Sequence, residues 1–267
     1  MLKKLLKYDM RDMLSRSLPM FVASAATGLV CCALLYFSLS FSSEYFNFAL
    51  LAVSGFYAIG IFAIIALFVI SCFFAAARYY KSFFSDEGYL NMVIPAPTSS
   101  LLLAKFISVL IWTFSAAIVM LISLFLALAV PNILYDPKGF LSLVELLLSG
   151  TSALGISLGL PELLLTCAYF AVSLAEGVCL VLASITAGSM LMKNHKIVGS
   201  VLLYLAISFV QSIITSALEI GINYFIYSES LPLSLVGRGM TVLVSAATAA
   251  VLYSINLNIL KNKFNIE

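Results

Sequence analysis

The chain consists of long apolar stretches that are separated by short polar segments. Six predominantly apolar runs cover approximately residues 18–41, 48–76, 99–130, 161–192, 198–226 and 238–260. A helix that crosses the hydrocarbon core of a bilayer needs about 20 apolar residues. Each run meets this length, and the second, third and fourth exceed it. The pattern therefore predicts six transmembrane helices, the longer of which tilt or project beyond the membrane.

Composition supports the same class. Hydrophobic residues make up 63% of the 267 residues and charged residues 10%, with a mean hydropathy of +1.13. A soluble domain is closer to half apolar and a quarter charged. A water-soluble fold of this size cannot cover so much apolar surface, so we expect an integral membrane protein. The net charge of +2 gives no support for a nucleic-acid partner.

The basic residues predict the orientation. Twelve of the 14 lysines and arginines fall at the two termini or around the second and fourth connections: Lys3, Lys4, Lys7, Arg11, Arg16, Arg78, Lys81, Lys105, Lys193, Lys196, Lys261 and Lys263. Only Lys138 and Arg238 lie on the other side. By the positive-inside rule, both termini and these connections are expected to be cytoplasmic in a multi-pass protein of the plasma membrane.

Two regions follow from the pattern. Residues 1–17, MLKKLLKYDMRDMLSRS, place leucines and methionines at helical spacing among lysines and arginines. This predicts an amphipathic helix that lies in the cytoplasmic interface. Residues 18–267 form the six-span transmembrane domain, which carries an external segment over residues 131–160.

Catalytic motifs give no basis for an enzyme. The sequence has no GxxxxGK[ST] motif, so we expect no P-loop ATP site in this chain. A GxSxG pattern at residues 155–159 needs a base close to Ser157. The single histidine, His195, is predicted on the opposite side of the membrane. We therefore expect no catalytic residue, bound cofactor or metal. Energy must come from another polypeptide or from an ion gradient.

Two glutamates interrupt the predicted spans, Glu176 in the fourth and Glu219 in the fifth. A carboxylate inside a bilayer costs about 3 kcal/mol or more, so each needs a partner, an interface or a water-filled path. Gln211 and Thr215 precede Glu219 at helical spacing and form a polar stripe with it. Three interpretations stay open: a hydrogen-bonded helix or dimer contact, a substrate or proton path, and side chains that reach the membrane interface.

The fourth span also carries small residues on one face. Gly177, Ser184 and Gly188 follow one another at roughly helical spacing. Small side chains let two helix backbones approach closely inside a membrane. We therefore expect this face to contact a neighbouring helix.

The most distinctive polar segment is residues 81–98, KSFFSDEGYLNMVIPAPT. Ser85 can cap a short helix, in whose first turn the carboxylates of Asp86 and Glu87 suit the helix dipole. Prolines then end this helix, and Thr98 or Ser99 can cap the third span. The apolar side chains of the segment, among them Phe83, Phe84, Tyr89 and Leu90, require a covering partner.

With these features, the chain resembles the permease subunits of type-2 ABC exporters. In topology the resemblance covers the whole chain. In motif it covers about residues 85–105, where SDEGYL is followed by prolines and an apolar run that ends in lysine, similar to the phrase in Firmicute members. Many relatives carry an extended external segment between spans five and six. Here that connection is short, and the longer external segment joins spans three and four.

The resemblance implies a fold and a partner. The fold class is an all-α membrane protein of six transmembrane helices, with an N-terminal interfacial helix and a cytoplasmic coupling helix between spans two and three. Residues 85–93 would form that coupling helix and dock into a separate ATP-binding cassette ATPase subunit, which binds ATP and Mg. The implied ATPase-coupling residues are Phe83, Phe84, Ser85, Asp86, Glu87, Gly88, Tyr89, Leu90 and Pro95.

The implied assembly contains two permease chains, identical or related, and two ATPases in the lipid bilayer. ATP-driven closure of the ATPases would move the coupling helices and export a peptide, a drug or another amphipathic molecule. The alternative is a self-contained channel or ion-coupled secondary transporter that uses Glu176 and Glu219.

Overall fold

The computed structural model describes residues 2–40, 47–84, 97–138, 141, 160–192, 195–226 and 233–264. The long elements of this part of the chain are six α-helices: α1 (Leu2–Ser40), α2 (Asn47–Phe84), α3 (Thr98–Tyr135), α4 (Leu160–Leu191), α5 (Lys196–Ile226) and α6 (Leu233–Phe264). Each contains a stretch that is long and apolar enough to cross a membrane. The predicted class, an all-α protein with six transmembrane helices, is confirmed.

The N-terminal segment is helical, but it is not a separate element. α1 runs without interruption from Leu2 to Ser40 and includes Pro19. The predicted interfacial helix over residues 1–17 and the first span therefore belong to one helix. The location of its first turns in the membrane interface stays a prediction.

α2 extends eight residues beyond the end of the apolar run at residue 76, to Phe84. Ala75, Tyr79 and Phe83 recur at intervals of four and are at most 4% exposed. One face of α2 is thus still packed against the protein beyond residue 76, where charged residues occur on its other faces. Phe83, whose side chain required a covering partner, is covered by its own chain.

α3 begins at Thr98, directly after Pro97. The carbonyl of Pro97 accepts hydrogen bonds from the backbone N–H of Ser100 at 2.9 Å and from that of Leu101 at 3.2 Å. The hydroxyl of Ser100 donates to the same carbonyl at 2.8 Å. Pro97 therefore occupies the N-cap position that was predicted for Thr98 or Ser99, since its carbonyl accepts the first bonds of the helix.

α3 also continues through Pro131 to Tyr135, beyond the predicted end at residue 130. Proline has no N–H, so the carbonyl of Ala127, four residues earlier, lacks its usual partner in the helix. The hydroxyl of Tyr57, on α2, donates to this carbonyl at 3.4 Å. An unpaired carbonyl is costly in a membrane, and the tyrosine satisfies it.

The chain divides into two compact units. The first, which we call the α1–α3 unit, comprises Met10–Ala75 and Trp112–Gly150. The second, the α4–α6 unit, comprises Thr151–Glu267 together with Met1–Asp9 and Ala76–Ile111.

The α1–α3 unit packs around a small apolar core of Cys31, Ile64 and Ala127. The ring of Trp112 stacks on Phe21 at a centroid distance of 4.8 Å. Its indole N–H donates to the hydroxyl of Ser71 at 3.3 Å. The polar end of this large side chain is therefore paired where it is buried.

In the α4–α6 unit, α4 packs against both α5 and α6. In the most apolar stretch of α4, 44% of the residues are buried, compared with 11% in the corresponding stretches of α5 and α6. At Gly188 the backbones of α4 and α5 meet, and an added Cβ would lie 2.4 Å from the backbone of Ser200. Gly188 thus forms the predicted small-residue contact, and Ser184 on the same helix is buried, whereas Gly177 is exposed and has nothing within 4 Å of its Cβ position.

Candidate functional site

A polar cavity of about 220 Å³ lies within the α4–α6 unit. All three long helices of the unit line it, through Tyr169, Glu176, Gln211, Thr215, Leu218, Thr241, Val244 and Ser245. Most of these side chains carry a hydrogen-bonding group, although the helices that hold them are apolar enough to span a membrane. Because buried polar groups are costly in lipid, this concentration marks the cavity as the candidate site.

The centre of the site is the carboxylate of Glu176, which is 6% exposed. Its Oε1 accepts hydrogen bonds from the side-chain amide of Gln211 and from the hydroxyl of Thr248. The Thr248 hydroxyl also lies 3.0 Å from the carbonyl of Ser245. Two donors on one oxygen offset part of the cost of removing a carboxylate from water.

Helix direction brings these residues together. α4 and α5 are joined within residues 192–195, so they run antiparallel, and Glu176 meets Gln211 while Gly188 meets Ser200. α4 and α6 run parallel, because Glu176 contacts Thr248 and Thr186 lies near Asn256 through a shared tyrosine. The site is thus a consequence of register between three helices.

The polar residues of α4 and α5 differ in whether they face the cavity. Glu176, Gln211 and Thr215 line the same cavity, and the Thr215 hydroxyl donates to the carbonyl of Gln211 at 3.0 Å. Ser212 and Ser216, which alternate with them on α5, are exposed. The side chain of Glu219 lies outside the described residues. Thr248 was missed by sequence reasoning, because a threonine among the alanines and serines of α6 gives no signal of its own.

A second polar cluster connects α2 to the same two helices. Tyr79 is 1% exposed, and its hydroxyl is paired with that of Thr186 on α4 at 3.0 Å. The amide of Asn256, on α6, donates to the Tyr79 hydroxyl at 3.4 Å. The ring of Tyr79 also contacts Phe83, at a centroid distance of 5.1 Å. The C-terminal end of α2 is therefore hydrogen-bonded to the helices that carry Glu176 and Thr248.

The predicted coupling segment is described only at its start. Phe83 is buried, and Phe84 stacks on Tyr80 with a centroid distance of 5.9 Å. The other predicted coupling residues lie outside the described residues: Ser85, Asp86, Glu87, Gly88, Tyr89, Leu90 and Pro95. Their role as an ATPase contact stays a prediction.

Lys105, on α3, binds to the N-terminal part of α1. Its Nζ lies 2.5 Å from Oδ1 of Asp9, and the two side chains are 12% and 14% exposed. The charge of this lysine is therefore paired within the protein.

In the part of the chain that the structure describes, residues of catalytic or metal-binding character give no second site. His195 is exposed, and the GxSxG pattern at residues 155–159 lies outside the described part of the chain. Within the described part, no three His, Cys, Asp or Glu side chains are grouped to hold a metal ion.

Comparisons of the chain with protein-family models, with curated proteins and with solved structures give no match. The interpretation of the site therefore depends on its own geometry and on the sequence features described above.

Proposed function

We propose that this chain is the permease subunit of an ATP-binding cassette exporter. It moves a peptide, a drug or another amphipathic molecule out across the plasma membrane, with ATP hydrolysed by a separate subunit. Two permease chains, identical or related, and two ATPases form the complete assembly, in which the permease termini are cytoplasmic.

The observation that carries the transport function is the buried carboxylate of Glu176 at a polar cavity between three helices. An ionisable side chain inside a membrane is expensive, and such residues mark paths for substrates or ions. If Glu176 only joined helices, its bonds to Gln211 and Thr248 would be sufficient. The cavity beside it, which Thr215 and Ser245 also line, has no purpose in such a contact.

Two features support an ATPase partner. The sequence DEGYL with its following prolines resembles the coupling segment of type-2 exporters. This segment follows α2 directly, and α2 ends five residues after Tyr79, which is hydrogen-bonded to α4 and α6. A displacement of the segment therefore has a packed, hydrogen-bonded route to the helices that form the cavity.

The test is purification in mild detergent followed by transport in vesicles. We expect the tagged chain to bring down an ATP-binding subunit, and we expect transport to require ATP. Tyr89→Ala or Gly88→Pro should lower transport about tenfold or more while ATP hydrolysis continues, because aromatic anchors carry much of an interface's binding energy.

The matched control is Phe73→Ala, which removes an aromatic ring from α2 that is 69% exposed and distant in sequence from the segment. This variant should transport like the wild type. Transport without an ATPase, or unchanged transport in both coupling variants, would show that the exporter assignment is wrong.

A second candidate, an ion-coupled secondary transporter, is favoured by the same carboxylate. Glu176 is buried between helices and hydrogen-bonded to polar side chains, which is the environment of a proton-carrying carboxylate. Such a protein would transport in response to a proton or cation gradient with no ATPase present, so the vesicle experiment separates the two candidates.

A further inference from the structure

Three hydrogen-bond donors at the cavity are already used, and one buried acceptor beside them has no partner among the described residues. The amide N–H of Gln211 and the hydroxyl of Thr248 are both directed at Glu176. The Thr215 hydroxyl donates to backbone carbonyls of its own helix. The amide oxygen of Gln211 is buried and has no hydrogen-bond partner among the described residues. Its orientation is fixed, because reversing the amide would place its oxygen against a carboxylate oxygen.

The missing partner should carry positive charge. The described residues that line the cavity include one carboxylate and no Lys, Arg or His. A buried carboxylate is stabilised most by a cation that also donates hydrogen bonds to it. The unpaired Gln211 oxygen is a second acceptor for the same group.

The size of the cavity favours an organic cation over a metal ion. A volume of about 220 Å³ exceeds that of an engineered cavity of about 150 Å³ that binds benzene. Metal ions such as Ca²⁺ need about six to eight oxygens at fixed distances of about 2.3–2.6 Å. One carboxylate in a space of this volume does not provide such a shell.

The cavity also has an apolar end. Tyr169 lies two helical turns before Glu176 on α4, about 11 Å away along the axis. In the antiparallel register, Leu218 of α5 lies at the same level as Tyr169. Both side chains are 42% exposed, so this end is open among the described residues. An aromatic face and a leucine suit the apolar body of a ligand, and the ring also attracts a cation that passes it.

We infer that the cavity binds a primary ammonium group of an amphipathic molecule. The ammonium donates to the Glu176 carboxylate and to the amide oxygen of Gln211, and the apolar part lies along Leu218 and Tyr169. This deepens the proposed transport function and rests on it only in treating the ligand as cargo. The binding itself can be measured without transport.

The experiment measures saturable binding of radiolabelled octylamine to the full chain in lipid nanodiscs, with empty nanodiscs subtracted. Octanol and octyltrimethylammonium are the competitors. Octylamine should bind saturably and neither competitor should displace it, since octanol has no charge and the trimethylated cation has no N–H to donate.

Glu176→Gln keeps the shape of the side chain and its acceptor oxygen, but it removes the charge. We expect this substitution to raise the Kd for octylamine about tenfold or more, because a charge-assisted hydrogen bond is lost. The control is Ser173→Ala on the same helix, whose hydroxyl is exposed and bonded to the carbonyl of Phe170 at 3.0 Å. It should bind octylamine like the wild type.

Several results would overturn the inference: no saturable binding to the wild type, equal displacement by octanol or by octyltrimethylammonium, or an unchanged Kd in the glutamine variant. The competition by octyltrimethylammonium uses the wild type alone, so the inference is tested even if Glu176→Gln does not fold. ATP-dependent transport without amine binding would refute the inference and leave the exporter proposal standing. Amine binding in a chain that never associates with an ATPase would support the inference and refute the exporter proposal.

Discussion

The contact between Gly188 and Ser200 sets the distance between α4 and α5, so we expect an alanine at position 188 to destabilise the protein. A Cβ at position 188 would lie 2.4 Å from both the Cα and the backbone nitrogen of Ser200. Neither atom belongs to a side chain that can rotate away. Ordinary van der Waals contact begins at 3.4 Å, so Gly188→Ala must move the two helix backbones apart by about 1 Å.

The magnitude follows from two opposing effects. Overpacking of a close contact costs about 1–3 kcal/mol, and a clash between backbones lies at the upper end of that range. Alanine recovers up to about 1 kcal/mol through its higher helix propensity. We therefore expect Gly188→Ala to lower the free energy of unfolding by about 2 kcal/mol. Gly177→Ala, on the same helix with nothing within 4 Å, should leave stability unchanged or raise it by up to about 1 kcal/mol.

The assay is unfolding in mixed micelles by increasing dodecyl sulfate, with circular dichroism as the global signal. Thiol labelling of Cys179 supplies a local signal, because this residue of α4 is 4% exposed and reacts only when the unit opens. Equal stability of the two alanine variants, or faster labelling in Gly177→Ala than in Gly188→Ala, would refute the steric argument.

Two further predictions concern buried hydroxyls. Tyr57→Phe should lower the free energy of unfolding by about 1 kcal/mol in the same assay, because it leaves the Ala127 carbonyl unpaired; in a Pro131→Ala background the loss should be smaller, since an alanine N–H then serves that carbonyl, and an equal loss in both backgrounds would contradict this account. Tyr79→Phe keeps the packed ring but removes the bonds to α4 and α6. Under the proposed exporter function, we expect this change to lower ATP-dependent transport several-fold while the ATPase remains bound. Loss of ATPase binding, or unchanged transport, would show that the hydroxyl does not connect the two.

The spans were predictable because the hydropathy of a helix depends directly on whether lipid or water surrounds it. The residues at which the helices end were harder to predict. Arg78 and Lys81 indicate the end of a span, yet α2 continues because Tyr79 and Phe83 on another face are buried by the protein. Pro131 indicates a helix end, but it is tolerated because Tyr57 serves the carbonyl that it leaves unpaired. Both exceptions depend on residues that are distant in sequence.

The candidate site was predictable only in part. Glu176 and Gln211 are noticeable because polar residues in apolar helices are expensive. Their pairing with Thr248, and the cluster of Tyr79 with Asn256, depend on the register between helices, which is not written in the periodicity of any one of them.

The ion pair between Asp9 and Lys105 has a consequence for biosynthesis. The two residues are 96 positions apart, so at about 5–20 residues per second the ribosome adds the lysine about 5–20 s after the aspartate. During that interval the first two apolar stretches are synthesised while Asp9 has no Lys105 to bind. The pair therefore forms late, and the start of α1 is joined to α3 only after synthesis of the third span has begun.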